Sequence, residues 1–299
     1  MSNERGNMSI ARLKDLIRER SKQGDPSLAE QRKAMDANAT LFPVPGGVTV
    51  ETADLGGLGA EWALPEGADD APVLLYFHGG GYIHGSPISH RHLSARLALA
   101  SRGRVLSIDY ALAPEHPFPA AVHDGVKAYR WLLDHGHAPG DSAGGGLTMA
   151  TLLAVRDAGL AMPAAAVLLS PWTDLTCDAG SYRTQGHLDP MITQDGIKAI
   201  AARYLDGADP RDPLASPNFA DLANLPPMLI QVGSDEVLLD DARNLERAAR
   251  VDAELEIWDG MIHVWQMFYQ MLPEGGEAID RLGQYLASRW KTMRTAGAI

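Results

Sequence analysis

Gly140-Asp141-Ser142-Ala143-Gly144 fits G-x-S-x-G, a pattern in which a serine sits on a strained turn and two glycines avoid Cβ clashes at close quarters. A serine hydroxyl is a poor nucleophile until a base takes its proton, and the base must be held in one tautomer by a third group. With three fixed positions in five, the stretch also reads as an ordinary Gly/Ser-rich turn. A second stretch, His78-Gly79-Gly80-Gly81, directly follows the apolar run Val73 to Phe77 and so leaves the end of a buried strand. Three successive glycines let backbone N–H groups converge on one point, as stabilising a developing oxyanion requires. A phosphate loop is the other reading, but no G-K-[ST] follows and the spacing is not that of a dinucleotide turn.

Two further residues supply the remaining chemistry. Asp235 follows the strand candidate Met228 to Val232 and the turn Gly233-Ser234, which places a carboxylate at a strand's C-terminal edge. It reads equally as a helix N-cap for Leu239 onward, although Asp240 or Asp241 would serve there instead. His263 follows the strand candidate Ala253 to Trp258 and the turn Asp259-Gly260; one histidine among ten is ordinarily a surface or core residue. The chain order Ser142, Asp235, His263, each just after a strand, raises it to a candidate base. His84, His90 and His92 lie close in sequence, as do His135 and His137, but without Cys or acidic residues at ligand spacing they do not read as a metal site.

These residues need a scaffold, and the rest of the chain reads as one. Ile10, Leu13, Leu16 and Ile17 recur at helical spacing, Asp25-Pro26-Ser27 breaks the run, and Leu28 to Ala39 resumes it. After Pro43 to Gly47, short β-rich runs alternate with helices, as in a mostly parallel sheet covered on both faces. Strands are expected at Val48 to Ala53, Ala60 to Ala63, Val73 to Phe77, Val105 to Asp109, Ala164 to Leu169, Met228 to Val232 and Ala253 to Trp258. Helices are expected at His90 to Ala100, Ala120 to Asp134, Leu147 to Asp157, Leu239 to Ala249 and Glu277 to Arg289. From Thr173 to Pro226 there is no good strand, only a helix candidate at Thr193 to Tyr204, and so long an excursion between strands usually serves function.

Composition narrows the class. The 299 residues are 45% apolar and 21% charged, near the globular average, so disordered and fibrous readings are excluded. A net charge of −12 argues against binding phosphate backbones or anionic lipid through a general field. No run approaches the roughly 18 apolar residues that a membrane helix needs. The charged opening from Met1 to Lys22 is not a secretory h-region, so a cytoplasmic protein is expected. The single cysteine, Cys177, cannot form an intramolecular bridge, which suits a reducing compartment.

Together these segments resemble the bacterial hormone-sensitive-lipase-like esterases, from about Asn38 to the C-terminal helix. The likeness rests on His78-Gly79-Gly80-Gly81-Tyr82, the run Asp109 to Pro119, Gly140 to Gly145, Ser170-Pro171-Trp172, Leu225-Pro226-Pro227 and Gly260-Met261-Ile262-His263, all in one order. The resemblance implies an α/β-hydrolase fold, with a mostly parallel central sheet, helices on both faces and a helical cap. Residues 1–45 would give an N-terminal cap segment and 46–299 the catalytic domain, with a cap excursion at about 173–213. It further implies a catalytic triad of Ser142, Asp235 and His263, with oxyanion donors on the backbone of Gly80, Gly81 and Ala143. Tyr82, Trp172 and Met191 are candidates for pocket lining, and each reads equally as core. The expected function is a serine carboxylesterase acting on short- to medium-chain esters without a cofactor. The expected partner is a small-molecule ester, with no nucleic acid and no membrane span, and dimerisation follows from the resemblance only. An amidase or arylformamidase would use the same chemistry. A non-catalytic ligand-binding module, such as the plant gibberellin receptors on this fold, lacks the histidine that stands here as His263.

Two departures from the pattern stand out. Ala111 occupies a position where many relatives have arginine. More seriously, relatives place an apolar strand of about half a dozen residues before the elbow glycine, whereas only Gly136-His137-Ala138-Pro139 separate the helix ending near His135 from Gly140. A residue-scarce approach predicts a short, imperfect strand, because Pro139 brings no N–H and buried histidines need partners. Either residues from about Tyr129 to Ala138 are drawn into a distorted strand, or the chain lacks a segment present in the working enzyme.

Overall fold

A computed structural model gives the structure of the protein over residues 8–20, 26–133, 140–249 and 252–295. The elements follow in the order α1 (Ile10–Arg20), α2 (Leu28–Ala39), β1 (Val48–Asp54), β2 (Gly59–Pro65), β3 (Val73–Tyr76), α3 (Pro87–Ser101), β4 (Arg104–Ile108) and α4 (Ala120–Leu133). Then come β5 (Gly140–Asp141), α5 (Ser142–Asp157), β6 (Ala166–Leu169), α6 (Gly180–Thr184), α7 (Gln194–Leu205), β7 (Met228–Gly233), α8 (Leu239–Ala248), β8 (Ala253–Trp258) and α9 (Pro273–Thr295).

Among the described residues the strands pair in the spatial orders β1-β2-β4-β3 and β5-β6-β7-β8. β2 is antiparallel to β1 and β4; the other pairs are parallel. Alternation along the buried strands sorts side chains to two faces, as the two-residue period of a strand dictates. Val73, Leu75 and Phe77 join one core with Val122, Tyr129 and Leu132 of α4 and Leu147 and Ala150 of α5. Leu74 and Tyr76 face the other way, into a core with Leu93 and Leu97 of α3 and Ile279, Leu282 and Leu286 of α9. Ile230 and Val232 of β7 pack with Leu239 and Leu245 of α8 and with Met149 and Leu152 of α5.

All seven expected strands are present, and β5 is the eighth. Among the described residues it comprises Gly140 opposite Leu168 and Asp141 opposite Leu169, directly after the undescribed segment. Among the described residues no ladder joins β3 to β5, so the eight strands divide into two four-stranded sheets. The expected conversion of Tyr129 to Leu133 into strand does not occur. That stretch stays in α4, where Tyr129 and Leu132 are buried and the Tyr129 hydroxyl donates to the Ala161 carbonyl at 2.7 Å. Its amphipathic period anchors it to the core. His135, His137, Pro139 and the rest of 134–139 lie outside the described residues.

Two pieces of chain dress the C-terminal side of this frame. α1 lays Leu13 into a cluster with Met261, Ile262, Trp265 and Leu272, a burial that stabilises by about 1.5–3 kcal/mol. α2 starts in a capping box between Ser27 and Glu30, and its Arg32 donates to the carbonyls of Ile83 and Ala113 and to both oxygens of Glu115. The excursion after β6 carries α6 and α7 and is anchored by Asp241, whose Oδ2 accepts the N–H groups of Thr173 and Asp174, each at 3.0 Å. Cys177, in this excursion, is buried, and burial pushes its thiol up to about 12. No helix among the described residues is long and apolar enough to cross a membrane.

Candidate active site

The nucleophile candidate sits where strand gives way to helix. Ser142 is the first residue of α5, directly after β5, and Ala143 is the second. The expected helix Leu147 to Asp157 thus begins five residues earlier. Gly144 to Gly146 lower helix propensity, which hid this start, but a side chain would not fit there. A Cβ on Gly144 would lie 1.9 Å from the Phe77 carbonyl oxygen, and one on Gly146 would lie 2.2 Å from that of Trp172. The first turn of α5 is therefore wedged between the chain leaving β3 and the chain leaving β6. A helix start is also where backbone N–H groups lack intrahelical partners and favour negative charge.

The wedge brings the glycine loop beside this turn. Gly80 and Gly81 take φ values of +125° and +63°, which glycine tolerates and other residues resist. The Gly80 carbonyl accepts from the N–H groups of Ile83 and His84, closing the loop. Behind it, His78 is buried, stacks on Tyr110 with ring centroids 4.2 Å apart, and is lowered to about 4 by burial. It is therefore neutral at physiological pH and does not act as a cation.

The base candidate has a buried carboxylate partner, and it is not the expected one. His263 Nδ1 lies 3.0 Å from Oε2 of Glu236, whose side chain is fully buried. Asp235, expected to orient His263, has its carboxylate engaged by other groups. Its Oδ2 accepts from Lys14 Nζ of α1 at 2.6 Å, and its Oδ1 accepts from the Ser234 hydroxyl at 2.8 Å. Burial opposes ionisation of Asp235, yet the hydrogen bonds from Lys14 and Ser234 and the lysine's charge hold its carboxyl below the ordinary value. The reason is local. Adjacent side chains on a tight turn point to different sides, and here the Asp235 N–H reaches the Met261 carbonyl while Val237 N–H is held by Asp189. Glu236 is then turned inward, where its Oε1 accepts from Ser170 at 2.9 Å and from the Gly233 N–H. The only sequence signal for Glu236 was its place beside Asp235.

Tyr82 and Trp172 are both buried, with ring centroids 6.1 Å apart, and Tyr82 stacks on Tyr204 at 3.9 Å. Met191 is 46% exposed. Among the described residues no group of three or more His, Cys, Asp or Glu could hold a metal ion.

Mostly parallel strands flanked by helices, with a serine at the junction of β5 and α5 and a carboxylate–histidine pair on the loops after β7 and β8, define an α/β hydrolase. Residues 74–267 match the family described by the alpha/beta hydrolase fold. An acetyl-hydrolase of Streptomyces hygroscopicus is 46% identical over 276 residues, covering 89% of this chain and 91% of that protein. An esterase of Acinetobacter venetianus is 34% identical, covering 86% and 88%. Among solved structures, an esterase of the bacterial hormone-sensitive lipase family superposes with a TM-score of 0.90 at 46% identity, covering 94% of this chain and 97% of that one. An esterase/lipase from an uncultured bacterium gives 0.89 at 48%, covering 94% and 98%. The chain belongs to the α/β-hydrolase family, within the bacterial hormone-sensitive-lipase-like esterases.

Proposed function

We propose that the protein is a serine carboxylesterase for short- to medium-chain acyl esters, with Ser142 as nucleophile, His263 as base and Glu236, in place of Asp235, as the group that orients the base. The observation that carries this reading is the buried contact between His263 Nδ1 and Glu236, on the loops that follow β8 and β7. The carboxylate fixes the imidazole with its proton on Nδ1, leaving Nε2 to take the Ser142 proton as the hydroxyl attacks the ester carbonyl. The negative charge that develops on the carbonyl oxygen is met by the backbone N–H groups of Gly80, Gly81 and Ala143. Collapse of the tetrahedral intermediate transfers the proton from His263 to the leaving alkoxide and leaves an acyl-serine. A water molecule, deprotonated by His263, then attacks the acyl carbon, and the acid and free Ser142 are released. The short acyl preference is supported by the relative named an acetyl-hydrolase. Residues 1–45 and about 173–213 act as a cap, consistent with α1 and α2 docking beside the loops that carry His263 and Gly80.

Hydrolysis of a series of p-nitrophenyl esters from acetate upward, with matched anilides, tests the reading. Activity should peak at short acyl lengths, ester turnover should exceed amide turnover, and Ser142→Ala should lower kcat by about 10⁴–10⁶ with folding nearly intact. A variant that kept a tenth of the activity would refute the assignment, and faster anilide turnover would favour an amidase.

A further inference from the structure

The side chain that links the carboxylate to the histidine loop belongs to neither. Ser170, directly after β6, is fully buried, and its hydroxyl donates to Glu236 Oε1 at 2.9 Å while accepting the N–H of Val264 at 3.1 Å. Its own N–H donates to the Gln231 carbonyl of β7 at 2.7 Å. Both ends of this bridge are in left-handed backbone: φ is +44° at Ser170 and +45° at Val264. Neither residue type settles there by intrinsic preference, so the surrounding contacts must hold the two turns in place. One hydroxyl thereby connects the strand beside the nucleophile, the turn carrying Glu236 and the residue following His263.

We infer that Ser170 is a positioning residue for the His263–Glu236 pair, fixing the carboxylate from its far oxygen and the histidine loop from its adjacent amide. It touches neither substrate nor the reacting atoms. The inference rests on the proposed roles of His263 and Glu236. Two effects should follow from removing the hydroxyl. The base loses its alignment, which costs turnover rather than substrate binding. In addition, Glu236 loses a donor, so more of its charge is available to the imidazolium and the base becomes harder to deprotonate. The carboxylate in contact with His263 is Glu236; the Asp235–Lys14 pair, one residue away on the same turn, is left intact.

Ser170→Gly is the informative variant, because glycine is at ease at this φ and relieves backbone strain while deleting the hydroxyl. Ser170→Ala deletes the same hydroxyl but keeps the strain. In both, kcat for p-nitrophenyl acetate should fall about ten- to hundredfold with KM within about threefold, the range seen when partners that orient a catalytic group are removed. The acid limb of the kcat/KM profile should move to higher pH. Thermal denaturation should rank Ser170→Gly above Ser170→Ala, so that an equal loss of rate in both follows the hydroxyl and not stability. Native rates with an unmoved acid limb in Ser170→Gly would overturn the inference, as would a loss confined to the less stable variant. Glu236→Gln separates the two levels. If it is nearly inactive while Ser170→Gly is normal, only the role of Ser170 falls; if it retains native activity, the site reading falls and the role of Ser170 with it.

Discussion

At the scale of single residues, the neighbouring carboxylates Asp235 and Glu236 make opposite predictions. Glu236 is buried against His263, whereas Asp235 is neutralised by Lys14. Glu236→Gln should lower kcat by about 10²–10⁴, since an amide in that place favours the wrong tautomer, and Asp235→Asn should stay within about tenfold of the native enzyme. Steady-state kinetics of both variants decide between them; the reverse ranking would restore Asp235. The native rate should rise with pH through an apparent pKa of roughly 6 to 7, because protonated imidazole cannot accept the serine proton. Elsewhere, Asp241 is fully buried, and burial, followed by the charge of Asp174, raises its carboxyl well above the ordinary range. Below about pH 4 it is protonated whether the chain is folded or not, and there is no penalty. Above that, the unfolded chain releases the proton while the fold must retain it, so the native state loses stability as pH rises. Asp241→Asn cannot ionise and still offers an oxygen to the two backbone N–H groups. Its melting temperature relative to the native protein should therefore increase from pH 4 to pH 8, and a difference independent of pH would show that the native carboxyl is charged in the fold.

At the scale of elements, helix α1 is tied down by a hydrophobic anchor and one ion pair. Lys14 and Asp235 are 14% and 19% exposed at the side chain, and the pair lowers the Asp235 pKa against the effect of burial. A lowered carboxyl pKa contributes stability that is fully present above the unfolded value near 4 and is lost as pH falls through the folded value. Lys14→Met should thus destabilise by about 1 kcal/mol at pH 7 and by less at pH 3, measured by thermal denaturation across that range. An equal loss at both pH values would assign the contribution to packing of the lysine stem. The elements themselves differ in how openly the sequence declares them. α2 spans the expected Leu28 to Ala39 because Ser27 and Glu30 signal its start, and β8 spans the expected Ala253 to Trp258 because the turn Asp259-Gly260 follows at once. The start of α5 was hidden by glycines chosen for close approach and not for helix propensity. Chain order nominated Ser142 and His263, the proposed nucleophile and base, but not Glu236, because the direction of a side chain on a turn depends on contacts made far away in sequence, here with Met261 and Asp189.

At the scale of the whole molecule, the approach to Ser142 is where the sequence has the fewest residues to spare, with Gly136 to Pro139 alone between the expected helix end near His135 and Gly140. Among the described residues, β5 pairs with Leu168 and Leu169 of β6, which runs from Ala166 to Leu169. Each buried backbone group left without a partner costs on the order of 1–3 kcal/mol, against a total stability of about 5–15 kcal/mol. Inserting a six- or seven-residue apolar, β-branched stretch before Gly140 should extend β5 between β3 and β6 and raise melting temperature and kcat together. An insertion that abolished robust activity in the native chain would show that the short approach is already sufficient.

The lone thiol turns this architecture into its own reporter. Cys177 is buried with its pKa pushed up to about 12, so at neutral pH almost none of it is thiolate and alkylating reagents find neither charge nor access. Modification of the native protein therefore has to wait for the chain around residue 177 to open. At saturating reagent, where alkylation outpaces reclosing, its rate is a clock for that opening, free of interference from any second cysteine. A cysteine introduced at an exposed position of α1 would label at once, giving the same molecule a fast surface signal and a slow interior one that can be followed in a single experiment.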